Sequence, residues 1–166
     1  MAIRDISEDG GDGGVKNFGD HTLATAMANL LWQHEHKTLL MHNAKATAEQ
    51  VEEIIQQHPR LLMLRSFARR MGRFGRASVI GYAAYVMERQ NEALALEFLA
   101  SFESGIDQYS GQPIRALRVR MERLRNRKAS QSEQLRVLLG AWKRFLARSG
   151  EEPETSAPLH HDARNY

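Results

Sequence analysis

The stretch "IRALRVRMERLRNRK", residues 114–128, decides how the chain is read. It holds seven basic side chains and one acid, Glu122. Ile114, Leu117, Met121 and Leu124 fall on one narrow stripe of a helical wheel. Arg115, Arg118, Arg120, Arg123, Arg125 and Arg127 fill most of the remaining arc, with Lys128 just beyond. Such a segment is a helix, apolar toward a core and rich in guanidinium toward solvent.

The neighbouring segments follow the same helical logic. Pro113 suits the first turn of this helix, after a loop "YSGQP". Ser130 and Glu133 have capping-box spacing and open a last helix that buries Leu135, Leu138, Leu139, Trp142, Phe145 and Leu146. Upstream, Asn91 caps "EALALEFLASFES", whose buried stripe is Leu94, Phe98, Leu99 and Phe102, and Gly105 ends it. A helix over about 77–89 is rich in small and aromatic residues. "RLLMLRSFARRM", 60–71, is a single helix with Leu61, Leu64, Phe67, Ala68 and Met71 on one side, broken by "GRFG" at 72–75. Thr47 and Gln50 form a second capping box, and that helix ends near His58 because Pro59 disfavours α geometry before it. The first helix starts at an Asp20 or Thr22 cap and buries Leu23, Met27, Leu30 and Leu31. No stretch alternates with the period of a strand, and no repeat of fixed period is present. The expected fold is all-α, a compact bundle of about seven helices. Its expected organisation is a flexible acidic segment at 1–19, one helical domain at 20–149, and a disordered acidic tail at 150–166.

A chain of 166 residues, 42% hydrophobic and 26% charged, is long enough for one domain with a core. It has no apolar run near the roughly 18 residues of a membrane span and no apolar leader, so a cytoplasmic protein with no membrane partner is expected. The absence of cysteine excludes disulfides, thiolate metal sites and cysteine nucleophiles. The net charge of +3 is unevenly spread: residues 1–20 and 151–166 carry −3 each, and residues 21–150 carry +9. A basic body with acidic ends attracts polyanions.

A charged helix face is commonly just solvated, since arginine forms helices well and its stem covers apolar surface. A solvated face normally mixes signs, however, and like charges four residues apart cost a few tenths of a kcal/mol. Residues 60–76 repeat the bias, with six arginines and no acid. Arg65, Arg69 and Arg73 recur every four residues there, and Arg76 follows. Arginine's planar fork matches phosphate. The expected partner is therefore nucleic acid, contacted at the phosphates with little sequence reading, because Asn126 is the sole base-reading type on the arginine helix. This requires the two clusters to share a face. The alternative is an acidic protein partner or a second copy of the chain, for which an apolar patch near Trp32, Phe74 or Trp142 would be the sign. For both tryptophans, core packing is the simpler expectation.

Other signals are thin. "GRFG" has the form of a GXXG backbone clamp, but the strands that accompany such loops are missing, so a helix-breaking turn is the better reading. Arg73 and Phe74 would still be offered to phosphate or base from an exposed turn. His34, His36 and His42 lack the i, i+4 spacing of helical metal ligands, and His160 and His161 fall in the expected tail, so no metal or other cofactor is expected. Ser66, Ser78, Ser101 and Ser104 have no nucleophile context, and Glu88, Glu92, Glu97 and Glu103 are spaced as solvated charges. No catalytic residue is assigned, and a non-enzymatic module is expected.

The order "GDHTLATAMANLLW", "ATAEQVEEIIQQHPRL", "ALEFLASFESG", "GQPIRALRVRMERLRNR", "LLGAWKRFLARSG" resembles the helical C-terminal half of ParB-like proteins of phages, plasmids and bacterial chromosomes. In those proteins a ParB-type α/β domain with a GQHR motif precedes a helical region with a Gly-Asx-Pro loop leading into "ALR", and an Ala-Trp pair on the last helix. Here the loop is Gly111–Gln112–Pro113, "ALR" is Ala116, Leu117 and Arg118, and the pair is Ala141 and Trp142. The resemblance spans about 19–150. The chain contains no GQHR, so activities of that first domain do not carry over. The resemblance implies a DNA-associated module, DNA rather than RNA, of phage or mobile-element type.

Overall fold

One helix, α5 (Ala77–Gln90), is hydrophobic on every side, and the rest of the chain packs around it. The structure, a computed structural model, describes residues 10–37, 44–106 and 113–150, with side chains from His21 onward. Every residue of α5 from Ser78 to Met87 is buried, as is Gln90. Its small residues set the packing distance. A Cβ on Gly81 would lie 2.6 Å from Met27 Cε and 3.2 Å from Ala68 Cβ, so the helices carrying Met27 and Ala68 approach α5 more closely than any larger residue would permit.

Those neighbours are α1 (Gly10–Glu35) and α4 (Arg65–Arg70), with α6 (Glu92–Ser104) and α8 (Gln131–Arg148) completing the shell around α5. α2 (Ala48–Gln57) lies against α1, and α3 (Arg60–Met63) against α1 and α5. α7 (Pro113–Asn126) lies on α8, α6 and a 3-10 turn at Gly72–Phe74. The described residues are all helical or connecting, with no strand among them, in seven helical segments if α3 and α4 are counted as one broken segment. The all-α expectation is thus met.

Polar side chains tie the shell to α5. His34 of α1 pairs through Nδ1 with the Tyr82 hydroxyl, and both are buried. His58, at the C-terminus of α2, pairs with the Tyr85 hydroxyl at 2.6 Å. Trp142 Nε1 donates to Gln90 Oε1 at 2.8 Å within the core. Trp142 is therefore a core residue, and Trp32 packs partly buried against the same core. Gln134 takes the place of a missing cap: Arg76, at the N-terminus of α5, donates its backbone N–H to Gln134 Oε1 at 3.0 Å, while Gln134 Nε2 donates to the Ala129 carbonyl.

The caps read from sequence largely form. Thr47 and Gln50 exchange both bonds of a capping box, Asn91 accepts from the Leu94 N–H, Gly105 ends α6 in the left-handed region, and Pro113 is the first residue of α7. Four expectations need correction. α1 does not start at Asp20 or Thr22 but runs through both from Gly10, since a good cap residue costs only tenths of a kcal/mol inside a helix already under way. The helix over 60–71 breaks at Leu64, and Arg65 Nε donates to the Leu62 carbonyl at the break. Ser130 accepts from the Glu133 N–H, but the Glu133 carboxylate pairs with Arg127 instead of closing the box. Phe74 is buried at 7% exposure and packs against Phe102, so it is not offered from an exposed turn. Of the segment expected to be flexible at 1–19, residues 10–19 belong to α1 and residues 1–9 lie outside the described residues, as do 151–166 of the expected tail at 150–166, His42 and the Gly111–Gln112 loop.

Candidate nucleic-acid interface

The basic surplus of the body resides in one hairpin. Residues 113–150 hold eleven basic side chains and two acids, whereas residues 21–112 hold nine of each. The hairpin is α7, a turn over 127–130, and α8. In the turn Ala129 N–H reaches the Leu124 carbonyl at 2.9 Å and Lys128 N–H the Arg125 carbonyl at 3.1 Å, a Schellman closure. Lys128 takes its left-handed position, φ 58°, where glycine is the usual residue.

Ile114, Leu117, Met121 and Leu124 are buried, as their spacing predicts. The flank of α7 facing the 3-10 turn is consumed by packing. The Arg118 guanidinium lies over the Phe74 ring, 4.3 Å from its centre, with Nη2 3.4 Å from the Glu103 carbonyl at the C-terminus of α6. Gly105 lies beside the Arg118 guanidinium and ends α6 at a φ of 79°, a conformation that favours glycine. Arg125 Nε donates to the Gly72 carbonyl at 3.2 Å. Glu122 pairs with Arg73 at 3.1 Å, and Glu133 with Arg127 at 2.6 Å. Both acids of the hairpin are thus neutralised by arginines.

The remaining cations stand outward. Arg115, Arg120, Arg123 and Lys128 are exposed on α7 and its turn. Arg120, Arg123 and Lys128 make no side-chain hydrogen bond or ion pair among the described residues. The same is true of exposed Arg136 and Arg144 on α8, which the sequence reading passed over. Their sequence signal is the run from Gln134 to Gly150, which contains four basic residues and no acid.

The arginines of 60–76 fare differently. Arg60 forms a two-point pair with Glu88, at 2.9 and 2.8 Å, and Arg70 pairs with Glu103 at 2.6 Å. Arg70 holds the Glu103 carboxyl below its ordinary range. Arg73 is brought to α7 by Glu122, whereas Arg65 and Arg69 stay on α4, which packs on α1 and α5. Arg76 is exposed, with no side-chain partner among the described residues. Of this second cluster, Arg73 is joined to the arginine helix through its ion pair with Glu122.

Among the described residues no three His, Asp or Glu side chains converge as metal ligands, and no helix is long and apolar enough to cross a membrane. No protein-family model matches the chain, no curated protein matches it, and no solved structure matches its fold.

Proposed function

We propose that the chain is a non-enzymatic helical module that binds nucleic acid through the phosphate backbone, using the outer face of α7 and the adjoining edge of α8. The supporting observation is that Arg120, Arg123, Lys128, Arg136 and Arg144 have no side-chain partner among the described residues, on a hairpin whose two acids are already matched. Like charges close together on a helix repel one another, and a phosphate array relieves that repulsion. Lys128 adds to the argument, because a charged side chain occupies a backbone position that disfavours it. The ParB-like resemblance makes duplex DNA the first polyanion to test. It also directs attention to a phage or mobile-element setting.

The test is fluorescence anisotropy on a labelled duplex at low salt, comparing the wild type with Arg120→Glu/Arg123→Glu. Both positions are exposed and unpartnered, so the fold should survive, as circular dichroism would verify. A loss of affinity of tenfold or more is expected. Equal affinity for the double variant would remove α7 from the interface and, with it, this reading.

A further inference from the structure

The α7–α8 hairpin does not close at its open end. Opposite the turn, Ala116 and Ala141 leave a cleft of about 200 Å³ between the two helices, with α6 beneath it. Its floor is apolar, made by Phe98, Leu117 and Phe145. Its rim carries three arginines: Arg120 from α7, and Arg144 and Arg148 one turn apart on α8. Among the described residues, no acidic side chain lines it.

The two chemistries of this cleft select its occupant. Phosphates alone would satisfy the rim and leave the floor wet. A small organic ligand would ordinarily require a larger cavity, of roughly 300 Å³ or more. A single large apolar side chain suits the cavity, and carboxylates on either side of it along a peptide would meet the guanidinium groups of Arg120 and Arg144. An apolar anchor in a pocket ringed by charge is also the usual design of a dominant contact at a protein interface. We propose that the cleft is a docking socket for an acidic peptide segment of a partner protein, one aromatic or aliphatic anchor flanked by Asp or Glu. The cleft overlaps the proposed nucleic-acid surface at Arg120 and Arg144, and its apolar floor lies outside that surface.

The probe is a labelled peptide with four glutamates on each side of one phenylalanine. Controls replace the phenylalanine by alanine, or the glutamates by glutamine. The protein variants are Ala141→Leu, which fills the cleft without changing charge, and Arg144→Gln, which keeps the cleft and removes a rim cation. The expected result is saturable binding of the phenylalanine peptide, weakened at least tenfold in each control peptide. Ala141→Leu should weaken it by a similar factor while duplex DNA binding stays within twofold of wild type. Arg144→Gln should weaken the glutamate peptide and leave the glutamine control unchanged. Equal binding of the phenylalanine and alanine peptides would overturn the proposal, since charge alone would then account for it. So would a loss of DNA binding in Ala141→Leu with peptide binding intact, which would assign the cleft to the nucleic-acid surface. A protein that binds the peptide but no DNA would refute the proposed function and leave the socket standing.

Discussion

Arg118 shows how far a single residue can depart from its helical-wheel position. The wheel places it among the solvent-facing arginines, yet its guanidinium sits over the Phe74 ring and against the end of α6. The reason lies in residues distant in sequence: Phe74 supplies the ring, and Glu103 supplies the accepting carbonyl. Wheel geometry fixes the centre of a buried stripe, but its flanks are assigned by whichever neighbour packs there. Arg118→Ala is therefore expected to destabilise the fold by about 1–3 kcal/mol, seen as a lower thermal midpoint. Arg118→Lys should recover little of it, because an ammonium cannot lie flat on the ring. Midpoints equal to wild type for both would contradict this placement. His58 makes a second prediction at this scale. Burial, reinforced by Arg89, lowers its pKa below 6.5, so the folded state prefers the neutral ring. Its contribution to stability is complete above about pH 6.5 and fades as pH falls through and below that value toward the folded pKa. Urea midpoints measured from pH 7.5 to 5 should fall, and His58→Gln should flatten part of that fall. An identical pH profile in the variant would contradict it.

At the scale of elements, helix ends were the most legible feature. Thr47, Gln50, Asn91, Gly105 and Pro113 act where their side chains or backbone preferences say they should, because caps are satisfied locally. The errors arose where a competing partner was remote or absent. Glu133 has the spacing to close a capping box but meets the stronger attraction of Arg127. Asp20 could cap a helix but does not interrupt one. The break at Leu64 has no glycine or proline to announce it. The α7–α8 turn yields two predictions. Ser130→Ala should cost about 1 kcal/mol, since it frees the Glu133 N–H. Lys128→Gly should stabilise the protein by a few tenths to about 1 kcal/mol, as the left-handed φ is relieved. Chemical denaturation of the two variants checks both signs; a destabilised Lys128→Gly would show that the lysine side chain contributes contacts that outweigh the strain.

For the whole molecule, charge is the organising feature. Part of the surplus read from the sequence is drawn into ion pairs. Arg60, Arg70 and Arg73 are drawn into pairs with Glu88, Glu103 and Glu122, and these pairs hold α3, α4 and the 3-10 turn to α5, α6 and α7. The surplus that remains is concentrated on α7 and α8, including Arg136 and Arg144, which periodicity alone did not single out. The positions carrying the ParB-like resemblance are explained by packing where they are described. Leu117 and Trp142 are core, Arg118 stacks on Phe74, and Ala116 and Ala141 wall the cleft. These positions thus report how this chain packs, and the cations without a partner among the described residues carry the functional reading. That reading makes affinity electrostatic, with about 0.9 counterions released per phosphate contacted. The most direct test is duplex DNA affinity across a salt series from low to physiological ionic strength. Log affinity should fall linearly with log salt, with a slope of about −3 or steeper, reduced by about 2 in Arg120→Glu/Arg123→Glu. A flat salt response, or no binding at low salt, would contradict it.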